Sequence, residues 1–341
     1  MKPRVTVLIP NYNGARYLEH CFVGLIEQTC QDFICIFLDD GSSDNSVEIA
    51  KSFQTRLPQL EIREFENAGI AANWNRGLEL AETEFFTLLH CDDAYEPDYL
   101  EQMLELMSES TAALGHCASQ AIDESSRRLF SITELYKHSQ YLPSPLCERS
   151  IEAEYLKLLE ADFINCPSVI YRTAAVQRIG LFSAHLEQTL DWDYWFRTLR
   201  AGYGICSTNK KLYLYRRHGN NHTVKNSISL GRYREELDCL KEAHEKGAEL
   251  GFAVGSLDVS GLRNILLVDM ANALRAGRND SAKAMLEFMQ NDLRPSPLII
   301  MPLRILLTTG VAGGLLMHLA IRTVVVLLAT TNLLGLNYHK R

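Results

Sequence analysis

The sequence predicts an α/β fold on a parallel sheet, and three observations carry the prediction. Of 341 residues, 47% are hydrophobic and 22% charged. That balance supports a packed core and excludes disorder, collagen-like repetition and a small disulfide-stapled scaffold. Short apolar runs alternate with amphipathic stretches over the first 120 residues, the pattern of successive βα units. The runs end in polar residues, where open α/β sheets bind their ligands.

Residues 5–9 form the first strand, too short for the apolar core of a signal peptide and closed by Pro10 and Asn11. A helix over 16–29 follows, with Tyr17, Leu18, Cys21, Phe22, Leu25 and Ile26 on one face. Strands over 33–38, 60–65 and 85–89 alternate with helices over 46–53 and 71–81. A helix over 98–107 and a strand near 112–117 complete the sheet. From 119 to 150 the periodicity fades and Pro143 and Pro145 interrupt it, so a loop or insertion is expected. Beyond it come a helix over 151–160, a strand over 168–171, a helix containing 191–200 and a strand over 211–215. Residues 230–291 read as two or three amphipathic helices without chemical motifs.

The net charge of −8 divides unevenly, with −13 on residues 1–293 and +5 on the last 48. An acidic body argues against a nucleic-acid binder, which needs basic surface to displace counterions. Metal-assisted handling of phosphates survives that objection. Nine cysteines without a Cys-x-x-Cys pair read as reduced, buried thiols of a cytosolic compartment. In the tail, 305–321 and 323–336 carry no acidic or basic residue apart from His318, and Arg322 divides them. A spanning helix needs roughly 20 apolar residues. A re-entrant or in-plane anchor, or a tilted span with Arg322 snorkelling, is favoured over a hydrophobic hairpin packed on the body or on a second subunit.

Three acidic clusters carry the chemistry. Asp39-Asp40-Gly41-Ser42-Ser43-Asp44 follows a strand; a turn with a helix cap explains Gly41 to Asp44. Two adjacent acids at a strand mouth repel each other unless a donor or cation relieves them. His90-Cys91-Asp92-Asp93 repeats that arrangement, and hard oxygen ligands suit Mg²⁺ or Mn²⁺ held together with substrate phosphates. Zinc is disfavoured, because His90 and Cys91 side by side cannot face one site from a strand. In Asp191-Trp192-Asp193-Tyr194-Trp195-Phe196-Arg197 the aromatics are core, and Asp191, at the start of a helix, is the candidate general base.

Together these segments resemble the family-2 inverting glycosyltransferases of GT-A fold. The likeness begins at Val5-Thr6-Val7-Leu8-Ile9-Pro10-Asn11-Tyr12-Asn13-Gly14 and continues through the Asp39–Asp44 segment. It takes in Asn67-Ala68-Gly69-Ile70 with Asn73-Trp74-Asn75-Arg76-Gly77, the 90–93 and 191–197 segments, and Tyr215-Arg216-Arg217-His218. It spans about residues 4–220 and leaves 221–341 uncovered. The chain departs from the family pattern at His90, in place of the first acid of Asp-x-Asp-Asp, at Leu190 in place of Glu, and at Trp74 in place of Arg.

The resemblance implies a Rossmann-like mixed sheet flanked by helices over 1–225; periodicity and charge add a helical C-terminal extension over 226–293 and an apolar basic tail over 294–341. It implies transfer of a sugar from a nucleotide-diphospho-sugar donor to an acceptor hydroxyl with inversion, and the apolar basic tail adds the expectation of a glycan or lipid-linked acceptor at the cytoplasmic face of a membrane. Asp39 or Asp40 would accept hydrogen bonds from the base or ribose, in a pocket shaped by Pro10, Tyr12, Asn13 and Asn67. Arg76 would be the nearest contact for the pyrophosphate. Asp92 and Asp93 would hold ribose and a divalent cation, with His218 reaching the same centre. Two other classes stay open. A sugar nucleotidyltransferase would show a Gly-rich basic phosphate loop, absent from residues 5–13; a non-catalytic carbohydrate-binding scaffold would account for His90 and Leu190.

Overall fold

The computed structural model describes residues 2–141, 147–218 and 230–293, with 301, 303, 304, 315 and 316 beyond them. The chain forms two compact units, residues 1–155 with 163–218, and 156–162 with 219–341.

Among the described residues the first unit holds nine strands in one sheet. β1 (Val5–Asn11), β2 (Phe33–Asp39), β3 (Leu60–Glu64) and β4 (Phe85–Leu88) are the four strands expected first, and they pair in parallel in the order β3-β2-β1-β4. Between them lie α1 (Ala15–Ile26), α2 (Ser46–Phe53) and α3 (Ile70–Leu80). α1 and α2 turn Leu18, Cys21, Phe22, Leu25, Val47, Ala50 and Phe53 onto one side of the sheet. α3 approaches so closely that a Cβ on Gly77 would stand 2.8 Å from Leu38 Cδ1 and 3.0 Å from Leu8 Cδ1. Only glycine permits that distance.

Beyond β4 the sheet is mixed rather than parallel. β5 (Ala94–Tyr95) and α4 (Tyr99–Ser108) lead into β6 (Leu114–Ile122). β8 (Val169–Arg172) lies antiparallel between β4 and β6, and β9 (Ile205–Arg216) pairs in parallel with β6 and antiparallel with β5. An apolar run buried on both faces looks alike in either direction, so periodicity alone does not set the sense of pairing.

The segment expected as a loop over 119–150 holds structure. β6 continues to Ile122, α5 runs Ile132–Ser139, and β7 (Cys147–Glu148) pairs with β9; Pro143 and Pro145 lie outside the described residues. The end of β6 is small and polar, which hid its period. The signal for α5 was Ser131-x-x-Glu134, and the Ser131 side chain accepts from the Glu134 N–H. β9 is also longer than the expected 211–215, because exposed Lys210 and Lys211 sit opposite a bulge in its register with β6. α6 (Ile151–Glu160), a 3₁₀ turn over Cys166–Ser168, α7 (Thr173–Ile179) and α8 (Leu190–Arg200) complete the elements before β9.

In the second unit α9 (Gly231–Glu249), α10 (Ser260–Arg275) and α11 (Asn279–Phe288) bury Leu237, Leu240, Leu266, Met270, Leu274, Met285 and Phe288. Arg232 binds Glu236 at 2.6 Å, and the Tyr233 hydroxyl donates to Asp269 at 2.7 Å. Among the described residues no helix is long and apolar enough to cross a membrane. The tail expected to anchor the chain lies outside them but for five positions.

One buried histidine sets an acid limit on stability. His116 in β6 is 2% exposed, ringed by Tyr141 and Phe163. The Tyr141 hydroxyl donates to the Cys117 carbonyl at 2.8 Å, so His116 Nδ1 donates to Tyr141 at 3.1 Å. Burial, helped by Arg149, pushes the imidazole pKa down to about 3. The unfolded chain, titrating near 6.5, then binds one more proton than the native state between those values. Stability should fall on acidification below pH 6.5, with this group contributing about 1.4 kcal/mol per pH unit. His116→Gln should lose that component of the slope in urea titrations from pH 4 to 7; an unchanged slope would reject it.

Candidate nucleotide and metal site

The site forms where β1, β2 and β4 end. Asp39, 3% exposed, closes β2: its Oδ1 accepts from Asn11 Nδ2 at 2.8 Å and from Ser42 Oγ at 2.6 Å, and its Oδ2 accepts from the Ser42 N–H at 2.9 Å. Asn13, at φ 54°, turns its Oδ1 to accept from the Ser43 N–H at 2.8 Å, while its own N–H donates to Ser42 Oγ at 2.8 Å. Asp44 accepts from the Ala15 N–H at 3.1 Å. The turns after β1 and β2 are thereby latched to each other. Pro10 is buried inside β1, and Tyr12 stands 58% exposed at the rim.

Asp40 is relieved by the next turn. Its Oδ1 accepts from the Ala68 N–H at 3.0 Å and from Arg76 Nη1 at 2.8 Å, and its Oδ2 accepts from the Gly69 N–H at 2.9 Å. Asn67 Nδ2 donates to the Asp40 carbonyl at 3.0 Å. Arg76 also donates to the Glu66 carbonyl at 3.0 Å and lies 4.6 Å from the Phe65 ring centre. Gly41 bends back at φ 75°, where a Cβ would stand 3.0 Å from the Asn67 nitrogen. Asp40, Asn67 and Arg76, expected at the nucleotide, are thus joined in one network that shapes the turn, with Arg76 a quarter exposed.

The third group is the turn after β4. His90, Asp92 and Asp93 bring one donor atom each to within 4.8 Å of one another, and Cys91 is not among them. Asp92 is a quarter exposed and accepts from His218 Nε2 at 2.9 Å. Burial acts to raise its pKa, but the His218 hydrogen bond and the nearby His90 hold it below the usual carboxylate range. Asp93 is 1% exposed, and both oxygens are engaged: one by the Tyr213 hydroxyl, the other by the Arg216 N–H at 2.7 Å. Burial, with repulsion from Asp92, pushes its pKa well up. Of the two acids expected as ligands, Asp92 faces the opening and Asp93 faces the protein.

Arg216, in the closing Tyr215-Arg216-Arg217-His218 segment, is the hub of this turn. It is 1% exposed and donates to the Asp92 carbonyl at 2.7 Å, the Asp123 carbonyl at 2.8 Å and Ser126 Oγ at 3.1 Å. Another nitrogen meets His20 Nδ1 at 2.8 Å. That contact requires an unprotonated Nδ1, and burial, then Arg216, lowers the His20 pKa. The Tyr17 ring centre is 4.8 Å from the Arg216 guanidinium and 4.9 Å from the His218 ring centre. Nothing in the local spacing signalled Tyr213, Tyr17 or His20, which meet this turn only through the fold.

Asp191 lies in the first turn of α8, partly exposed, its Oδ1 accepting from the Trp192 N–H at 2.9 Å. Trp195 and Tyr194 pack against Tyr171 of β8, and Tyr171 stacks on Phe86 of β4 at 4.7 Å. Asp193 is committed to Arg197 and Ser183, both at 2.8 Å. A helix start favours a carboxylate, and Asp191 occupies that place in α8.

Fold and site define an α/β protein with clustered acids at its strand ends. The glycosyl transferase family 2 profile matches residues 6–176, half of the chain, and the chain belongs to that family. An uncharacterized glycosyltransferase of Rickettsia typhi (strain ATCC VR-144 / Wilmington) is 27% identical over 205 residues, 58% of this chain and 59% of the relative. The chain therefore spans about three fifths of that relative's length. Two solved structures share the fold. S. aureus TarS 1-349 in complex with UDP-GlcNAc has a TM-score of 0.58 at 17% identity, covering 95% of this chain and 91% of that one. The mannosyltransferase PcManGT from Pyrobaculum calidifontis, in complex with GDP-Man and Mn²⁺, has a TM-score of 0.56 at 16% identity, covering 100% and 89%. The GT-A sheet with its helical C-terminal region is the fold of this chain.

Removing the hub should be costly. Arg216→Leu strands several buried acceptors and should destabilise the first unit by about 3 kcal/mol or more. Arg216→Lys, which keeps the charge without the planar fork, should fall in between. Urea unfolding measures both, and a Leu variant within about 0.5 kcal/mol of wild type would contradict the assignment.

Proposed function

We propose that this chain is an inverting glycosyltransferase that moves a sugar from a nucleotide-diphospho-sugar to an acceptor hydroxyl with the help of a divalent cation. One observation carries the reading: the turns after β2 and β4 are each built around buried, hydrogen-bonded carboxylates, and among Asp39, Asp40, Asp92 and Asp93 it is Asp92 that keeps a quarter of its side chain exposed. The family match and the nucleotide-sugar complexes of the two structural neighbours support it.

The donor set fits a divalent cation, since carboxylate and imidazole atoms converge within 4.8 Å. Asp92 would hold Mn²⁺ or Mg²⁺ with the adjacent imidazoles, while Asp93 orients the turn from behind. The cation would offset charge developing on the departing diphosphate. Tyr12 and Asn13 border the nucleotide, and the Asp39 and Asp40 networks set the backbone it rests on. Asp191 accepts the proton of the acceptor hydroxyl as that oxygen attacks the anomeric carbon opposite the diphosphate. General-base transfer of this kind contributes about 10²- to 10⁴-fold.

Release of nucleoside diphosphate across a panel of nucleotide sugars tests the reading. Asp191→Asn should lower transfer at least about 10²-fold while donor affinity stays within about twofold. EDTA should abolish activity, and Mn²⁺ or Mg²⁺ should restore it. Near-wild-type turnover in the variant would overturn the base, and indifference to chelation would overturn the cation.

The acceptor we propose is a lipid-linked or surface glycan reached from the cytoplasmic face of a membrane. The support is the tail, with five basic residues, no acidic one, and two uncharged runs. Deleting residues 294–341 should abolish co-flotation with anionic vesicles and lower transfer to a lipid-linked acceptor. Unchanged flotation would remove the membrane from this account.

A further inference from the structure

The loop between α7 and α8 is held from both sides. It leaves α7 at Gly180, whose φ of 95° is left-handed. Asn75 of α3 grips the backbone of Phe182: its Nδ2 donates to the Phe182 carbonyl at 2.9 Å, and its Oδ1 accepts from the Phe182 N–H at 2.8 Å. One amide side chain thus meets both polar groups of one residue, as a neighbouring strand would. The Phe182 ring is buried, its centre 5.2 Å from that of Trp74 on α3 and 4.6 Å from that of Tyr194 on α8. From the other side the first two turns of α8 hold the same loop. The Tyr194 hydroxyl donates to the Gly180 carbonyl at 3.1 Å, Arg197 donates to the Leu181 carbonyl at 2.9 Å, and Ser183 Oγ donates to Asp193 at 2.8 Å. α3 is in turn fixed to the end of β2, through Asn73 on the Leu38 carbonyl at 2.9 Å and Arg76 on Asp40 at 2.8 Å.

We propose that residues 180–183 are a strap by which Asn75 holds the start of α8, and with it Asp191, in register with the turn after β2, so that Asn75 is a positioning residue for the transfer. This rests on the reading of Asp191 as the base and adds what places that base. Asp191 lies in the first turn of α8, two residues ahead of the Asp193 that Ser183 binds, so a shift of the strap carries the carboxylate with it. Irregular backbone has no ladder of its own to resist such a shift, whereas reacting groups have to be kept within about 0.5 Å of their working geometry. A misplacement of about 1 Å by a remote change costs as much as 10²-fold in rate. Removing the Asn75 amide strands both backbone groups of Phe182 and cuts the connection without touching any acid of the site.

The test is a double-mutant cycle on the full chain, read as release of nucleoside diphosphate to water across the same panel of nucleotide sugars. Asn75→Ala should lower kcat about tenfold while the donor KM stays within about twofold. Added to Asp191→Asn, it should lower the residual rate by less than about twofold, because a residue that acts through the base then has nothing left to position. Hydrogen exchange followed by mass spectrometry should quicken at 182–183 and 190–194 in Asn75→Ala, while β1 and β2 stay as protected as in wild type. Ser183→Ala spares the Phe182 backbone; it should lower kcat about threefold with the same non-additivity, and it carries the cycle if Asn75→Ala does not fold. Losses that multiply in the double variant, or a folded single variant that keeps the wild-type kcat, overturn the strap and leave the base standing. Near-wild-type turnover in Asp191→Asn, or no turnover by wild type across the panel, overturns base and strap together.

Discussion

The carboxylate of Asp93, enclosed by the Tyr213 hydroxyl and the Arg216 N–H, is the joint on which the site depends. It ties the turn after β4, an inner strand of the parallel half, to the end of β9 on the far side of the sheet. A buried carboxylate is tolerable only when its lone pairs are met by donors. Tyr213 and the Arg216 backbone meet them here, and the Arg216 side chain continues to the Asp92 carbonyl and the turn after β6. Asp92 is consequently displayed beside His218 instead of being drawn inward.

The same solution is repeated at β2. Adjacent acids would repel at a strand mouth, yet Asp39 and Asp40 are separated by being given to different neighbours. Asp39 is satisfied from the β1 side through Asn11 and its own turn, and Asp40 from the β3–α3 turn and Arg76. Charge-assisted bonds of this kind hold backbone in place more firmly than neutral ones. The outcome is a preorganised rim of backbone and a few exposed side chains, among them Tyr12. Preorganisation is what a site needs when catalysis is mostly positioning and electrostatics.

The parallel strands β1 to β4 and their helices were legible in the sequence, because a buried strand and an amphipathic helix each imprint their period. The acids that mark the site were legible too, since paired carboxylates after an apolar run are anomalous without a ligand or donor. Illegible were the antiparallel sense of β8, the continuation of β6 through Ser119 and Gln120, and the element α5 announced only by its capping box. Those features turn on partners far along the chain, and local pattern carries no information about them.

What the sequence by itself determined is the set of groups: strand-end acids, the acidic-aromatic helix start at Asp191, and His218 in the closing element. Tertiary structure decided how those groups divide their work. Asp92 and Asp93 are adjacent and chemically identical, yet one is turned to the cleft and the other to Tyr213 and Arg216, more than a hundred residues away. Arg76 donates to Asp40, and the Trp74 ring centre lies 5.4 Å from that of His90. Residue type specifies which interactions a side chain is able to make. Which of them it makes depends on the donors, charges and rings that distant strands bring alongside, because in a buried environment every polar group must find its partner locally.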